Sequence, residues 1–557
     1  MPDTLAFRKI ILLAGWFIFV AGCTQENAPE KERQSTRYED LVKLFEEWRA
    51  FQKPKLIDGI PDYSAKAMTA QHRELAAYQR RLAGIDTAGW AVTQRVDYHL
   101  VKAEMNGFDF DHRVRQPWVR DPAFYVTIFP EQSDVPAREG PVIHGAIDLW
   151  IYPFPLSPPH ATELAAQIRA IPKLLEQAKS NLTGNARDLW VAGIRSIKKQ
   201  STDLAVLAEK VAGSDNTLIS EIQSARAASD AFCTWLENEA PAKTGTSGVG
   251  IENYNWYLQN VQLVPYTWQE EVTIMHRELA RAHAALRLEE QRNRKLPQPA
   301  QVATADEYVH RFNAAVTEYM NFLRDREIVS IRDDMDAALR ERIGSFRPAT
   351  DGRREFFSEV SYRDPVVMRT HGYHWFDLAR MKSEPHASPI RRVPLLYNIF
   401  AGRAEGLATG MEEMMMHAGL FDARPRAREL IWILLAQRAA RALGDLYMHG
   451  NEWTMEQAIQ FASEWTPRGW LPKDGNTVRF EQHLYLRQPT YGTSYVIGKI
   501  EIEQLLGERA LPAGLGESFI LKRFIDELNA AGMIPVSLIR WELVGEAGEI
   551  NGKAAAR

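Results

Sequence analysis

The chain has 557 residues, 45% hydrophobic and 25% charged, with 67 Lys and Arg against 72 Asp and Glu and a formal net charge of −5. This length and composition suit a globular protein with a full apolar core. The slightly acidic balance argues against a nucleic-acid partner, which would call for a basic stripe.

The first element is an address. Arg8 and Lys9 precede an apolar run over residues 10–22, shorter than the ~20 residues of a membrane-spanning helix and suited to the core of a secretory signal peptide. The run ends V-A-G-C, with small Ala21 and Gly22 just before Cys23. This resembles the lipobox of bacterial lipoproteins, with Val20 where leucine is more usual. The resemblance implies cleavage after Gly22 and acylation of Cys23. The membrane is then a partner, and the protein is lipid-anchored in the bacterial cell envelope, facing the periplasm or exterior. Thr24 offers no Asp-type retention signal, which favours an outer membrane. Removal of residues 1–22 would leave 65 basic against 71 acidic side chains.

Residues 23–36 are polar and read as a flexible tether. An amino-terminal helical region follows over 37–240, with helical periodicity at 38–52, 68–83, 161–182, 186–212 and 217–239. Asn185, Asp215 with Asn216, and Thr304 look like helix starts. Residues 112–160, rich in Pro, aromatic and β-branched side chains, predict an irregular arm with a short strand pair. Cys233, in an apolar helical pattern, reads as a buried small hydrophobe. With Cys23 acylated, it has no cysteine to pair with. The P-A-K-T-G-T-S-G-V-G run at 241–250 predicts a linker. A carboxyl-terminal helical region over 251–545 then has periodic stretches at 267–292, 305–326, 396–418, 430–448, 454–464, 493–506 and 517–531, with a tail at 546–557.

Chemistry concentrates between His371 and His449. H-G-Y-H-W-F-D presents His371, His374 and Asp377, which would span about 120° of one face of a helix. In A-E-G-L-A-T-G-M-E-E-M, Glu405 and Glu412 share a face, while Glu413 reads as solvated. The stretch at 430–448 is apolar nearly all round and so predicts a buried helix. Yet Arg438, Arg441, Asp445 and His449 form a narrow stripe along it. Buried charge needs partners, and Glu405 and Glu412 are the natural candidates. A purely structural ion network would give the same pattern.

From about residue 351 to 543 the chain resembles the bacterial family labelled domain of unknown function 885. A-E-G-L-A-T-G-M-E resembles the family's E-G-W-A-L-Y-x-E. Asp445, His449 and Trp453 match downstream, as do Pro489, Ser494, Tyr495 and Gly498, then Phe524, Asp526, Gly532 and Pro535. The resemblance implies a mainly α fold, a multi-helix gluzincin-like bundle with a central cleft beside the small irregular or β arm. It also implies a zinc-dependent hydrolase of peptide-like substrates. His371 and Glu405 would be metal ligands, joined by His374 or Asp377. Glu412 would act as base or support a ligand, Tyr495 or His449 would stabilise the oxyanion, and Arg441 and Asp445 would back them. Gly372 stands where the family's H-E-x-x-P-G-H has its Glu, and Tyr491 and Val496 replace a Gln and a Lys. These departures keep two alternatives open. One is a non-catalytic envelope binding protein that retains the cleft. The other is a metal-free hydrolase built on Glu405, Asp445 and His449.

Overall fold

The computed structural model of the chain describes residues 35–213, 216–350, 352–510 and 519–545. The expected signal peptide, Cys23, nearly all of the tether and the tail lie outside the described residues. Asp215, expected beside Asn216 at a helix start, lies outside them too.

The fold is mainly helical, because apolar side chains recur at helical spacing along most of the chain. Predicted and observed helices agree closely at Tyr38–Phe51, Arg187–Lys210, Asn216–Glu239, Trp268–Arg292, Ala305–Asp325 and Met455–Trp465. Thr304 caps its helix by accepting from Glu307 N–H. The expected continuous helix at 161–182 is instead two, Pro158–Ile168 and Ile171–Asn181. Pro172 sits in the first turn of the second, where its missing N–H breaks the ladder. Val92–Phe110 escapes a periodicity reading because polar and apolar side chains share its inner face, with Asp97 and Glu104 both buried. It runs on into a π-helical turn, Asp111–Arg115.

The irregular arm carries the expected strand pair, which is parallel, with Ile128 opposite Ile147. A second pair, antiparallel, sets Ile57 opposite Ile60 across Asp58-Gly59. Both turn residues have positive φ, 51° and 83°, the left-handed conformation that Asp-Gly favours in a tight hairpin.

Two large apolar cores hold the described residues, with a third small cluster of Val302, Tyr308, Phe312 and Tyr362. The larger gathers the first three long helices with nearly everything after Val249. The smaller lies between the arm and the helices that run to Leu236. Cys233 is buried there, its Sγ 3.6 Å from the Ile194 carbonyl. The segment at 241–250 is fastened at both sides. Asn185 Oδ1 accepts from Thr244 and Gly245 N–H, at 2.7 and 2.8 Å. Asn185 thus ties down this segment, and Ala186 takes the N-cap position that Asn185 was expected to fill. Ser247 Oγ accepts from Asp188 N–H at 2.9 Å, so it serves as the missing cap from outside the helix. Gly250 N–H donates to the His449 carbonyl at 2.8 Å.

The helices that position the site meet at glycines. Ala401–His417 crosses Tyr491–Ala510 so closely that a Cβ on Gly498 would overlap the Gly402 backbone. One on Gly406 would overlap Gly498 in turn. Gly498→Ala is expected to cost ~1–3 kcal/mol by overpacking. Gly507, on the same helix, has nothing within 4 Å of its Cβ position. Gly507→Ala is expected to be neutral or to stabilise by ~0.5–1 kcal/mol. Thermal or urea unfolding of the pair checks this.

Candidate functional site

His371 and His374 do not lie on one helix. Pro365–His371 ends at His371, and Gly372 separates it from Tyr373–Ser383. The first of these helices is started by Asp364, whose side chain accepts from Val366 N–H, with Pro365 in its first turn. The break at Gly372 turns the two imidazoles edge to face, 5.1 Å between ring centres. Glu405 approaches from Ala401–His417. One ligand-type atom from each of His371, His374 and Glu405 lies within 4.8 Å of the others, a spacing in which a single metal ion could be held.

The three side chains have different electrostatic states. Burial and the Arg438 guanidinium hold the His371 pKa below its ordinary value, so its ring is neutral. Burial opposes charge on His374, but Glu405 and then Asp134 raise it to about 9. Burial likewise opposes charge on Glu405, and the facing His374 more than offsets this, holding it to about 2. His374 Nε2 lies 3.2 Å from Glu405 Oε2, yet it makes no hydrogen bond of acceptable geometry. The nitrogen therefore points past the carboxylate. The other carboxylate oxygen of Glu405 accepts from the Tyr491 hydroxyl at 2.5 Å.

Glu412 and Asp377 are both clamped by arginine. Arg438 donates to the two oxygens of Glu412, each at 2.7 Å. Glu412 Oε1 also faces His371 Nδ1 at 3.1 Å. Arg403 holds both oxygens of Asp377, each at 3.1 Å, and donates to Asn529 at 2.8 Å. Asp377 thus lies outside the triad. Both oxygens of each carboxylate are thus engaged by a guanidinium.

The stripe on Pro425–His449 is buried without a gap from Glu429 to Leu446. Arg438 finds Glu412, as the sequence predicts. Arg441 instead pairs with Glu481, from Asn476–Arg487, and lies 4.3 Å over the Tyr495 ring. Asp445 accepts from Gly492 N–H at 2.7 Å. His449 is fully buried, with Nε2 3.0 Å from the Tyr485 carbonyl and 3.7 Å from Asp445. Its contacts, including the Tyr254 ring, are none of them in the triad. Glu413, expected in solvent, is instead 7% exposed. Arg281 and Lys499 hold it, at 2.7 and 3.0 Å.

Two acidic residues at the site had no sequence signal, because acids in a loop without periodicity look like any solvated turn. Asp134 and Glu139, on the arm, act electrostatically on His374 and Glu405. Burial, then Asp134, raises the Glu139 pKa to about 7, and Ser133 Oγ donates to it at 2.9 Å. Beside them opens a cavity of about 410 Å³, walled by Phe108, His112, Trp118, Phe124, Arg138 and Gln488 among others. Gln488 Oε1 joins arm to helices, accepting from Gly140 N–H and, at 2.7 Å, from Asn398.

Fold and site together define a mainly helical protein in which His371, His374 and Glu405 converge within 4.8 Å. Residues 53–543 match the family described as "Bacterial protein of unknown function (DUF885)", and the chain belongs to it. The match begins nearly 300 residues upstream of the motifs that carry the resemblance. Two solved structures share the fold, each described as a "putative lipoprotein". One, from Shewanella oneidensis, is 17% identical with a TM-score of 0.65. The other, from Colwellia psychrerythraea, is 15% identical with the same score. In both comparisons 91% of this chain and 98% of the other are covered. Among curated proteins, none matches.

Burial lowers the His449 pKa from 6.5 to about 4, so the folded state keeps the ring neutral. Between those values the unfolded chain binds more protons, and stability falls as pH drops through this window. A shift of this size corresponds to about 3 kcal/mol at its acid end. His449→Gln is expected to flatten the stability profile between pH 6.5 and 4, as read by urea unfolding.

Proposed function

We propose that the chain is a lipid-anchored, metal-dependent hydrolase of peptide-like substrates, with His371, His374 and Glu405 as ligands. The observation that carries this is the convergence of the three ligand atoms within 4.8 Å, together with the buried His374 Nε2 that lacks a hydrogen-bond partner. Two nitrogens and a carboxylate are a donor set that zinc accepts. When bound, zinc would supply Lewis-acid polarisation of a carbonyl.

The protein's own residues do the rest. Glu412 Oε1 and the Arg438 guanidinium both face His371 Nδ1, at 3.1 and 3.2 Å, which orients the ring. Tyr491 fixes Glu405 through its second oxygen. With Glu412 and Asp377 both neutralised by arginine, the general base falls to Glu139, whose pKa near 7 suits proton transfer at neutral pH. Burial keeps the Tyr495 hydroxyl protonated, so it can donate to a developing oxyanion. The cavity beside the arm has the size of a small-ligand site.

The paired arginine clamps favour a second reading, a binding protein that has lost turnover. Metal content and activity decide between them. The wild-type protein is expected to hold about one zinc per chain, lost in His371→Ala and Glu405→Ala. Glu139→Gln should keep the metal and lower peptide hydrolysis by roughly 10²–10⁴-fold. A protein that takes up no zinc on soaking rejects the metalloenzyme, and zinc without turnover selects the binding protein.

The V-A-G-C sequence supports the anchor, and no described helix is long and apolar enough to cross a membrane. Cys23→Ser is expected to move the protein from the membrane to the soluble fraction on cell fractionation, with loss of the acyl mass.

A further inference from the structure

We propose a second cation site, built from oxygen donors alone, at the junction of Trp268–Arg292, Ala401–His417 and Tyr491–Ala510, which takes a hard cation of calcium or sodium size. It does not rest on the reading of the His-His-Glu triad.

A small void lies between these helices, with about 10 Å³ of space for a particle centre, close to what a single water-sized occupant needs. Its polar lining comes from Glu271, Glu501, Thr490, Thr493, Ser494 and Gln262. Glu271 is 0% exposed, and neither of its carboxylate oxygens has a hydrogen-bond partner. After burial, the groups that act on it are the Thr493 and Tyr254 hydroxyls, which favour its charge, and the Asp445 and Glu501 carboxyls, which oppose it; none is basic. On Glu501 burial is the sole influence.

Two of the hydroxyls that line the void have their protons committed elsewhere. Thr493 donates to the Thr490 carbonyl at 3.1 Å, and Ser494 to the Tyr491 carbonyl at 2.7 Å. Both therefore offer the void lone pairs rather than protons. Acceptors line a small space beside the Glu271 carboxyl, whose two oxygens lack partners. A buried carboxylate without a counter-charge costs several kcal/mol, so the groups must hold protons or a cation. A water molecule can donate to only two of these oxygens, whereas a cation can satisfy the whole set.

The chemistry of the donors selects the ion. All are oxygens, which excludes the nitrogen and sulfur preference of zinc. Magnesium keeps several of its waters, and the void has no room for them. Calcium accepts six to eight oxygens in irregular geometry, and sodium is of similar size. The occupant would tie Glu271 to the helix that carries Tyr491. It would lie against Gly402, one turn before Glu405.

The test uses the mature protein stripped of metal by chelation and dialysis. Thermal unfolding is followed with millimolar CaCl2, MgCl2, NaCl or KCl, and bound metal is measured after gel filtration. The expected result is about one calcium per chain, or a stabilisation specific to sodium over potassium, with little response to magnesium. Glu271→Gln should lose this response while keeping zinc uptake at the triad. His371→Ala should lose zinc and keep the response. If Glu271→Gln does not fold, the wild-type melting temperature alone carries the test. The proposal is overturned if calcium and sodium neither bind nor raise it. The void then holds water between protonated acids.

Discussion

A helix sunk in an apolar core can carry charge only where each charge meets its opposite. Pro425–His449 is such a helix, and that constraint arranges the helices around it. Arg438 requires Glu412 on one side, and Arg441 requires Glu481 on another. Removing one partner of such a pair is costlier, at ~3–5 kcal/mol, than replacing both with apolar groups. The helices that carry these acids therefore have little freedom in register. Glu405 lies seven residues before Glu412 on the same helix, so placing one places the other. The glycine crossing of Gly402, Gly406 and Gly498 then brings Tyr491 to Glu405.

Much of the helical layout is legible in the sequence, because a long amphipathic period is a strong signal. Where it was illegible, a specific physical reason applies. Val92–Phe110 buries acids on its inner face, which blurs the period. Glu481 belongs to Asn476–Arg487, whose apolar face is thin, so Arg441 had no visible partner. Glu413 looked solvated because Arg281 and Lys499, which neutralise it, come from helices far away in sequence. Asp377, Glu412 and His449 carry suitable chemistry for the roles expected of them. Only three-dimensional structure shows two of them clamped by arginine and the third fastened to a backbone carbonyl. His371, His374 and Glu405 were legible as residue types. Their convergence depends on the break at Gly372, which no spacing rule announces.

The arm illustrates a different limit. Its short strands and proline-rich turns were recognisable, but its role was not. A loop has no period, so nothing in sequence tells a solvated acid from one folded back over a site. Asp134 and Glu139 gain a role only once the arm closes against Gln488, which Asn398 also holds. The family match and the shared fold establish what kind of chain this is. The chemistry of the site rests on its own residues.

The fastening of Ser247 carries a consequence for how the molecule assembles. Arg187–Lys210 is capped not by its own preceding residue but by a hydroxyl 59 positions further on. The same segment binds the last turn of Pro425–His449 through Gly250. A chain that emerges amino-terminus first therefore exposes that helix uncapped until Ser247 follows. It completes the joint only when His449 has arrived. Such long-range closure slows folding, and it leaves the first half dependent on the second for its final order. A protease cut within 241–250 would thus loosen both halves at once rather than release two finished pieces.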